Sequence, residues 1–173
     1  MWQNIFHKEL DPKTWSTGWR VVHGILETKY RISRGRLDKM GTDGKCEWCL
    51  WMGRDEDETI EHLLIECGVA DRVWDRVNIA LFRAGYREIC KSPDEIVARV
   101  NLGKIENYVV AEVVQALWGI RCREYYGEIR RTWQSVIWAF KHRLGVRRGL
   151  DFKQGNTEKW DSLDRFMTNL GVT

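Results

Sequence analysis

Three cysteines and one histidine fall within a single short stretch, Cys46 to Cys67, in the pattern C-x2-C-x12-H-x4-C. Cys46 and Cys49 have the spacing of a metal knuckle, in which a tight turn aims both sulfurs at one ion. Gly41 and Gly44 precede the pair and Gly53 follows it, which suits such a turn. His62 and Cys67 are five apart. In an ideal α-helix that is about 140° of rotation, so the helix carrying them must tighten or unwind to bring Cys67 round. Three thiolates and one imidazole close a tetrahedral shell with no open position. The chemistry is that of one structural Zn2+, held by Cys46, Cys49, His62 and Cys67. The competing reading is three buried thiols acting as small apolar groups beside an ordinary histidine. It does not account for the knuckle spacing, the glycines and the H-x4-C pair together.

The elements that must position these ligands are helical. Apolar residues recur at helical spacing almost throughout, which predicts a mostly α fold: a helical bundle with one small CCHC zinc-knuckle insert. Helices are expected over 14–37 with a break near Glu27 and Thr28, and over 59–67 with Thr59 near its cap and Gly68 at its exit. Another is expected over 70–86, with Val73, Trp74, Val77, Leu81 and Phe82 on one stripe. Ser92-Pro93-Asp94-Glu95 reads as a capped helix start. Longer helices follow over 106–126, from Ile129 to Leu144, and from Thr157 onward. A short ribbon at 46–52 is the one expected departure. The run Arg54 to Glu58 is read as a solvated loop whose last acids favour the next helix N-terminus. The expected organisation is basic N-terminal helices over 1–45, the knuckle over 46–68 and a helical body over 69–173, forming one compact unit. Trp15, Trp19, Trp74, Trp118, Trp133 and Trp160 are assigned to the core.

Charge is unevenly placed. Seven Lys/Arg from Lys13 to Lys39 face only Glu27 and Asp38, and nine from Arg121 to Lys153 face three acids. Between Arg54 and Asp75, eight acids outnumber two arginines. Two basic blocks around an acidic one point to an anionic partner or to ordinary solvated helix faces. No apolar run is long enough to span a membrane. The first ten residues lack the pattern of a secretory signal. An odd count of five cysteines without such a signal points to metal or reactivity before disulfides. Cys90 and Cys122 are read as unligated thiols.

A longer pattern embeds the ligands. Trp19-Arg20-Val21-Val22-His23-Gly24-Ile25-Leu26-Glu27-Thr28 comes first, then Cys46-x2-Cys49, then Glu58-Thr59-Ile60-Glu61-His62-Leu63-Leu64-Ile65-Glu66-Cys67, then Val73-Trp74. The chain resembles the zinc-binding domain downstream of the reverse transcriptase in LINE-type (non-LTR) retrotransposon polyproteins. Its spacer between Cys49 and His62 is longer than that family's. The resemblance implies a non-catalytic, zinc-stabilised domain that helps hold template RNA or target DNA. It also implies nuclear or ribonucleoprotein localisation and the rest of a retroelement polyprotein as a partner. Paired polymerase aspartates are absent from this sequence, and no hydrolase arrangement or small-molecule site stands out.

The residues assigned to nucleic-acid contact are Arg20, Lys29, Arg31, Arg34, Arg36 and Lys39 before the knuckle, with Arg147 and Arg148 in a basic turn. Trp48 and Trp51 are assigned to base stacking or to packing over the metal. The alternative is a zinc-stapled helical module that docks to the reverse transcriptase or to a host factor. His23, alone on an amphipathic helix, is left out of the zinc shell.

Overall fold

The computed structural model describes residues 10–35 and 42–171. Eight α-helices order those residues: α1 (Pro12–Val22), α2 (Lys29–Arg34), α3 (Glu47–Trp51), α4 (Gly68–Arg83), α5 (Pro93–Ile96), α6 (Lys104–Tyr125), α7 (Trp133–Lys153) and α8 (Glu158–Leu170). A single π-helical turn, His62–Glu66, stands before α4. The fold is mostly α, as expected. The only β pairing among the described residues is an isolated antiparallel bridge between Lys45 and Asp57. None of the described helices is long and apolar enough to cross a membrane.

Helix α6 is the axis of the fold because it is apolar on nearly every side. Asn107 through Trp118 are all buried, as expected of a helix surrounded by others. α1 and α7 pack against it, and α4 packs against α7 and α8. Local chemistry sets the helix starts. Asp11 caps α1 by accepting from the Lys13 and Thr14 amides at 2.9 and 3.0 Å, ahead of Pro12. Thr132 and Ser135 form a reciprocal capping box at α7. Gly127, at φ 71°, ends the turn after α6. Residues 129–132 then run without helix into α7, which begins four residues later than the periodicity suggests.

Several expectations are corrected. Residues 47–51 form a turn of helix, so there is no ribbon there. Gly68 opens α4 instead of closing the preceding turn. Trp74, Trp118 and Trp160 are buried, but Trp15 and Trp19 are 42% and 37% exposed and Phe82 is 69% exposed. Each of the three sits on its helix beside the apolar stripe, and an aromatic at the border of a stripe is indistinguishable from core by spacing alone. Arg147 and Arg148 lie inside α7 and not in a turn. Gly145 and Gly149 are tolerated there because neighbouring helices hold α7 in place.

Candidate metal centre

Cys46 precedes α3 in an extended conformation, and Cys49 sits one turn into that helix. The short helix turns the second sulfur back toward the first. Its exit is closed by Gly53 at φ 75°, and Arg54 N–H donates to the Cys49 carbonyl at 2.8 Å. The Lys45–Asp57 bridge joins this segment to the one leading to His62. Cys46 N–H donates to the Glu56 carbonyl and Glu58 N–H to the Gly44 carbonyl, each at 2.9 Å.

The five-residue spacing from His62 to Cys67 is solved by the π-helical turn. Cys67 N–H donates to the His62 carbonyl at 2.7 Å, an i to i+5 bond. The wider turn takes Cys67 far enough round to face the same point as His62, after which its backbone turns extended. Thr59 Oγ1 accepts from His62 N–H at 3.0 Å and fixes the turn's entry. Trp74 Nε1 donates to the Leu64 carbonyl at 2.7 Å and satisfies a group inside it. The later tryptophan of the sequence pattern therefore supports the ligand-bearing turn.

The four ligand atoms lie within 4.8 Å of one another and all four residues are buried. Cys46 Sγ and Cys67 Sγ are 3.8 Å apart, and Cys49 Sγ lies 3.4 Å from His62 Nε2. Zinc bonded to sulfur at about 2.3 Å separates two tetrahedral thiolates by about 3.8 Å. The donor set fits one zinc ion. His62 Nε2 faces the cluster while Nδ1 lies 3.9 Å from Glu66 Oε2, so the ring's outer nitrogen points toward a carboxylate.

The three thiols hold their protons unequally. The hydrogen bond from Cys67, stronger than the opposing effect of burial, holds Cys46 down to about 3. That same bond, and then burial, push Cys67 up, while burial and the Cys46 charge push Cys49 up. Binding of a divalent metal by this cluster would require all three thiols to ionise and release their protons.

Behind the sulfurs lies a buried ionic lattice. Arg131 Nη2 donates to Cys46 Sγ at 3.0 Å. Its guanidinium pairs with Glu124 at 3.2 Å and lies 3.7 Å from Glu58. Arg121 Nε donates to Glu58 Oε1 at 2.8 Å, and that oxygen also accepts the Lys29 N–H at 3.0 Å. Glu58 and Arg131 are each 1% exposed. Glu58 is thus no solvated loop acid, which corrects the reading of that run. Asp55 and Asp57 do sit at the surface, paired with Lys45 at 3.1 and 2.8 Å. Nothing local in the sequence marks Arg131 or Glu124 as members of the site. Only Glu58, inside the E-T-x-x-H pattern, carried a signal.

The basic candidates divide. Arg31 and Arg34 are exposed on α2. Arg31 donates to the Gly24 carbonyl at 2.7 Å, and Arg34 lies over the Tyr30 ring at 4.8 Å. Arg20 is half-buried in the last turn of α1. Lys29 is buried and paired with Glu47, so it is not part of an open basic surface. Arg36 and Lys39 lie outside the described residues. The second basic block is largely neutralised within the fold. Arg143 binds Asp11 and Glu112 at 3.0 and 2.8 Å, Arg147 binds the buried Asp151 at 3.2 Å, and Arg148 binds Asp164 at 2.8 Å. Trp48 is partly buried against the core. Trp51 is 61% exposed with the Arg130 guanidinium 3.9 Å from its ring centroid. Cys90 and Cys122 lie outside the four-residue cluster, and so does His23.

Residues 1–74 match the family model zf-RVT, described as zinc-binding in reverse transcriptase. That segment is similar to an accessory zinc-binding domain that is not catalytic. It contains all four candidate ligands and Trp74, and it ends before Arg121, Glu124 and Arg131. No curated protein and no solved structure matches the chain.

Proposed function

We propose that this chain is a zinc-stabilised, non-catalytic nucleic-acid-binding domain that serves a LINE-type reverse transcriptase by helping to hold template RNA or target DNA. The observation that carries the reading is the coincidence of a family match and a geometry. The segment similar to the reverse-transcriptase zinc domain is the segment whose four ligands converge on one buried point. With no ligand position left for water or substrate, a zinc ion there would contribute folding energy and not catalysis.

Two surface features beside the metal centre support nucleic acid as the partner. Arg31 and Arg34 line a cavity of about 560 Å³ with Leu26, Tyr30 and Ile60. Trp48, Trp51 and Arg130 line a second cavity of about 450 Å³. An exposed indole backed by a guanidinium offers a stacking surface to an unpaired base. This favours single-stranded RNA over duplex DNA. Such a role implies work inside a nuclear or ribonucleoprotein particle alongside the rest of a retroelement polyprotein.

The test is binding of the zinc-loaded protein to single-stranded RNA, single-stranded DNA and duplex DNA across a fourfold rise in salt. Phosphate contacts from Arg20, Arg31 and Arg34 give a single-strand salt slope of about −2, a loss of roughly fifteenfold in affinity. The paired substitution Arg31→Glu and Arg34→Glu removes most of that slope. Trp51→Ala weakens single-strand binding by about 1–3 kcal/mol with the slope unchanged. Absence of binding to all three nucleic acids by folded, zinc-loaded protein refutes the proposal. A second reading, docking of the helical body to the reverse transcriptase, rests on Trp138, Val146 and Leu150. These repeat at helical spacing along α7 and are each about half exposed or more. Salt-insensitive association with the polymerase would favour it.

A further inference from the structure

We propose that Arg131, contributed by the helical body, is a positioning residue of the metal centre and makes zinc retention depend on residues far outside the zinc-domain segment. The inference rests on the zinc reading of the four-residue cluster and extends it.

The argument begins with charge. Zn2+ with three thiolates and a neutral imidazole carries one net negative charge. Buried as this cluster is, that charge needs a partner, because water cannot supply one. Arg131 Nη2 lies 3.0 Å from Cys46 Sγ although the two residues are 85 positions apart. The side chain is 1% exposed, so the contact is not a chance surface approach. Arg54, the other guanidinium near a ligand, is exposed and lies farther off, at 3.6 Å from Cys49 Sγ.

Carboxylates then flank the guanidinium. Glu124, on the last turns of α6, holds it from one side at 3.2 Å, and Glu58 lies 3.7 Å away on the other. The Arg131 backbone N–H also donates to Glu124 Oε1 at 3.1 Å, which pins the extended segment between α6 and α7. Glu58 in turn receives Arg121 from α6 at 2.8 Å. One sulfur, two carboxylates and two guanidiniums thus form a continuous chain from the Cys46 ligand to the central helix. A ligand oriented and neutralised this way holds its metal more tightly, and loss of such a partner commonly costs 10–100-fold in affinity.

The test uses the full chain. Zinc affinity is measured by competition with a chromophoric chelator for the parent, R131Q, R131K and R123Q, a control at an exposed arginine paired with Glu128. Thiol alkylation under native conditions is followed in parallel by mass spectrometry, residue by residue. R131Q is expected to weaken zinc about 10–100-fold and to make Cys46 the first of the three cluster cysteines to be modified. R131K is expected to recover part of the affinity, and R123Q to match the parent. A purely structural role for Arg131 would loosen the three cysteines together and leave their order of modification unchanged. That result, or an R131Q affinity equal to that of the parent, overturns the proposal. Should R131Q not fold, R131K and the R131Q/E124Q double variant, which leaves no carboxylate stranded, carry the same comparison. If the parent takes up no zinc, the metal reading itself fails. If it binds one zinc and the Arg131 variants change nothing, only this inference fails.

Discussion

Glu58→Gln is the substitution whose cost separates a buried lattice from a solvated acidic loop. Glu58 is 1% exposed and touches three partners: Arg121 Nε at 2.8 Å, the Lys29 N–H at 3.0 Å and Arg131 at 3.7 Å. Glutamine keeps the shape and one acceptor oxygen but removes the charge. Arg121, with its side chain 4% exposed, would then lose the carboxylate it donates to, and Arg131, 1% exposed, would keep Glu124 as its carboxylate partner. Removing one partner from a buried ionic group costs about 3–5 kcal/mol. The retained acceptor places this case near the lower end, at about 3 kcal/mol, or a fall in Tm of about 6–12 °C for a chain of this size. The internal comparison is Arg123→Ala, which breaks an exposed pair with Glu128 at 3.1 Å and should cost under about 1 kcal/mol. Urea denaturation of both variants at saturating zinc gives the answer. Equal, small losses for the two would refute the claim that Glu58 is the hub of the lattice.

Three further outcomes follow from the same structure. Trp74→Phe strands the buried Leu64 carbonyl in the π-helical turn. It should cost about 1–3 kcal/mol and speed zinc release to a chelator, whereas an unchanged release rate would separate the turn from the metal. Gly44→Ala places a Cβ 2.6 Å from Ser33 Oγ at φ 78°. It should destabilise the protein, and adding Ser33→Ala should recover only the clash and leave about 1–2 kcal/mol of backbone strain. Burial alone would raise the Asp11 carboxyl. The Thr14 amide and hydroxyl, and then Arg143, more than offset it and hold the group below 3.8. Its stabilisation is therefore complete above the unfolded value and is lost as pH falls through the lower folded value. Asp11→Ala should cost about 1 kcal/mol at pH 7, with the difference from the parent fading in acid, and a difference that grew in acid would contradict the sign.

The Cys/His cluster was legible because metal chemistry writes itself locally. Cys46 and Cys49 must share a knuckle, and the H-x4-C spacing already demanded an irregular turn, which the structure supplies as a π-helical one. Helices were legible from apolar periodicity and from caps such as Ser92-Pro93. The lattice was not, because Arg131 and Cys46 meet only through tertiary packing, and an arginine bound for the interior looks like one bound for solvent. For the same reason Arg147 and Arg148 read as a basic turn, when α7 places them against Asp151 and Asp164. Lys29 read as a phosphate contact because its partner Glu47 belongs to another helix. Trp15 and Trp19 read as core because periodicity gives the direction of a stripe but not its width.

Zinc K-edge X-ray absorption on the metal-loaded chain tests the central claim most directly. A closed site built from Cys46, Cys49, His62 and Cys67 predicts one zinc per chain with three sulfur neighbours at about 2.3 Å and one nitrogen at about 2.0–2.1 Å. A shell with fewer sulfurs, or with a water oxygen in the fourth position, would contradict it, because the ion would then be open to chemistry that a structural site excludes.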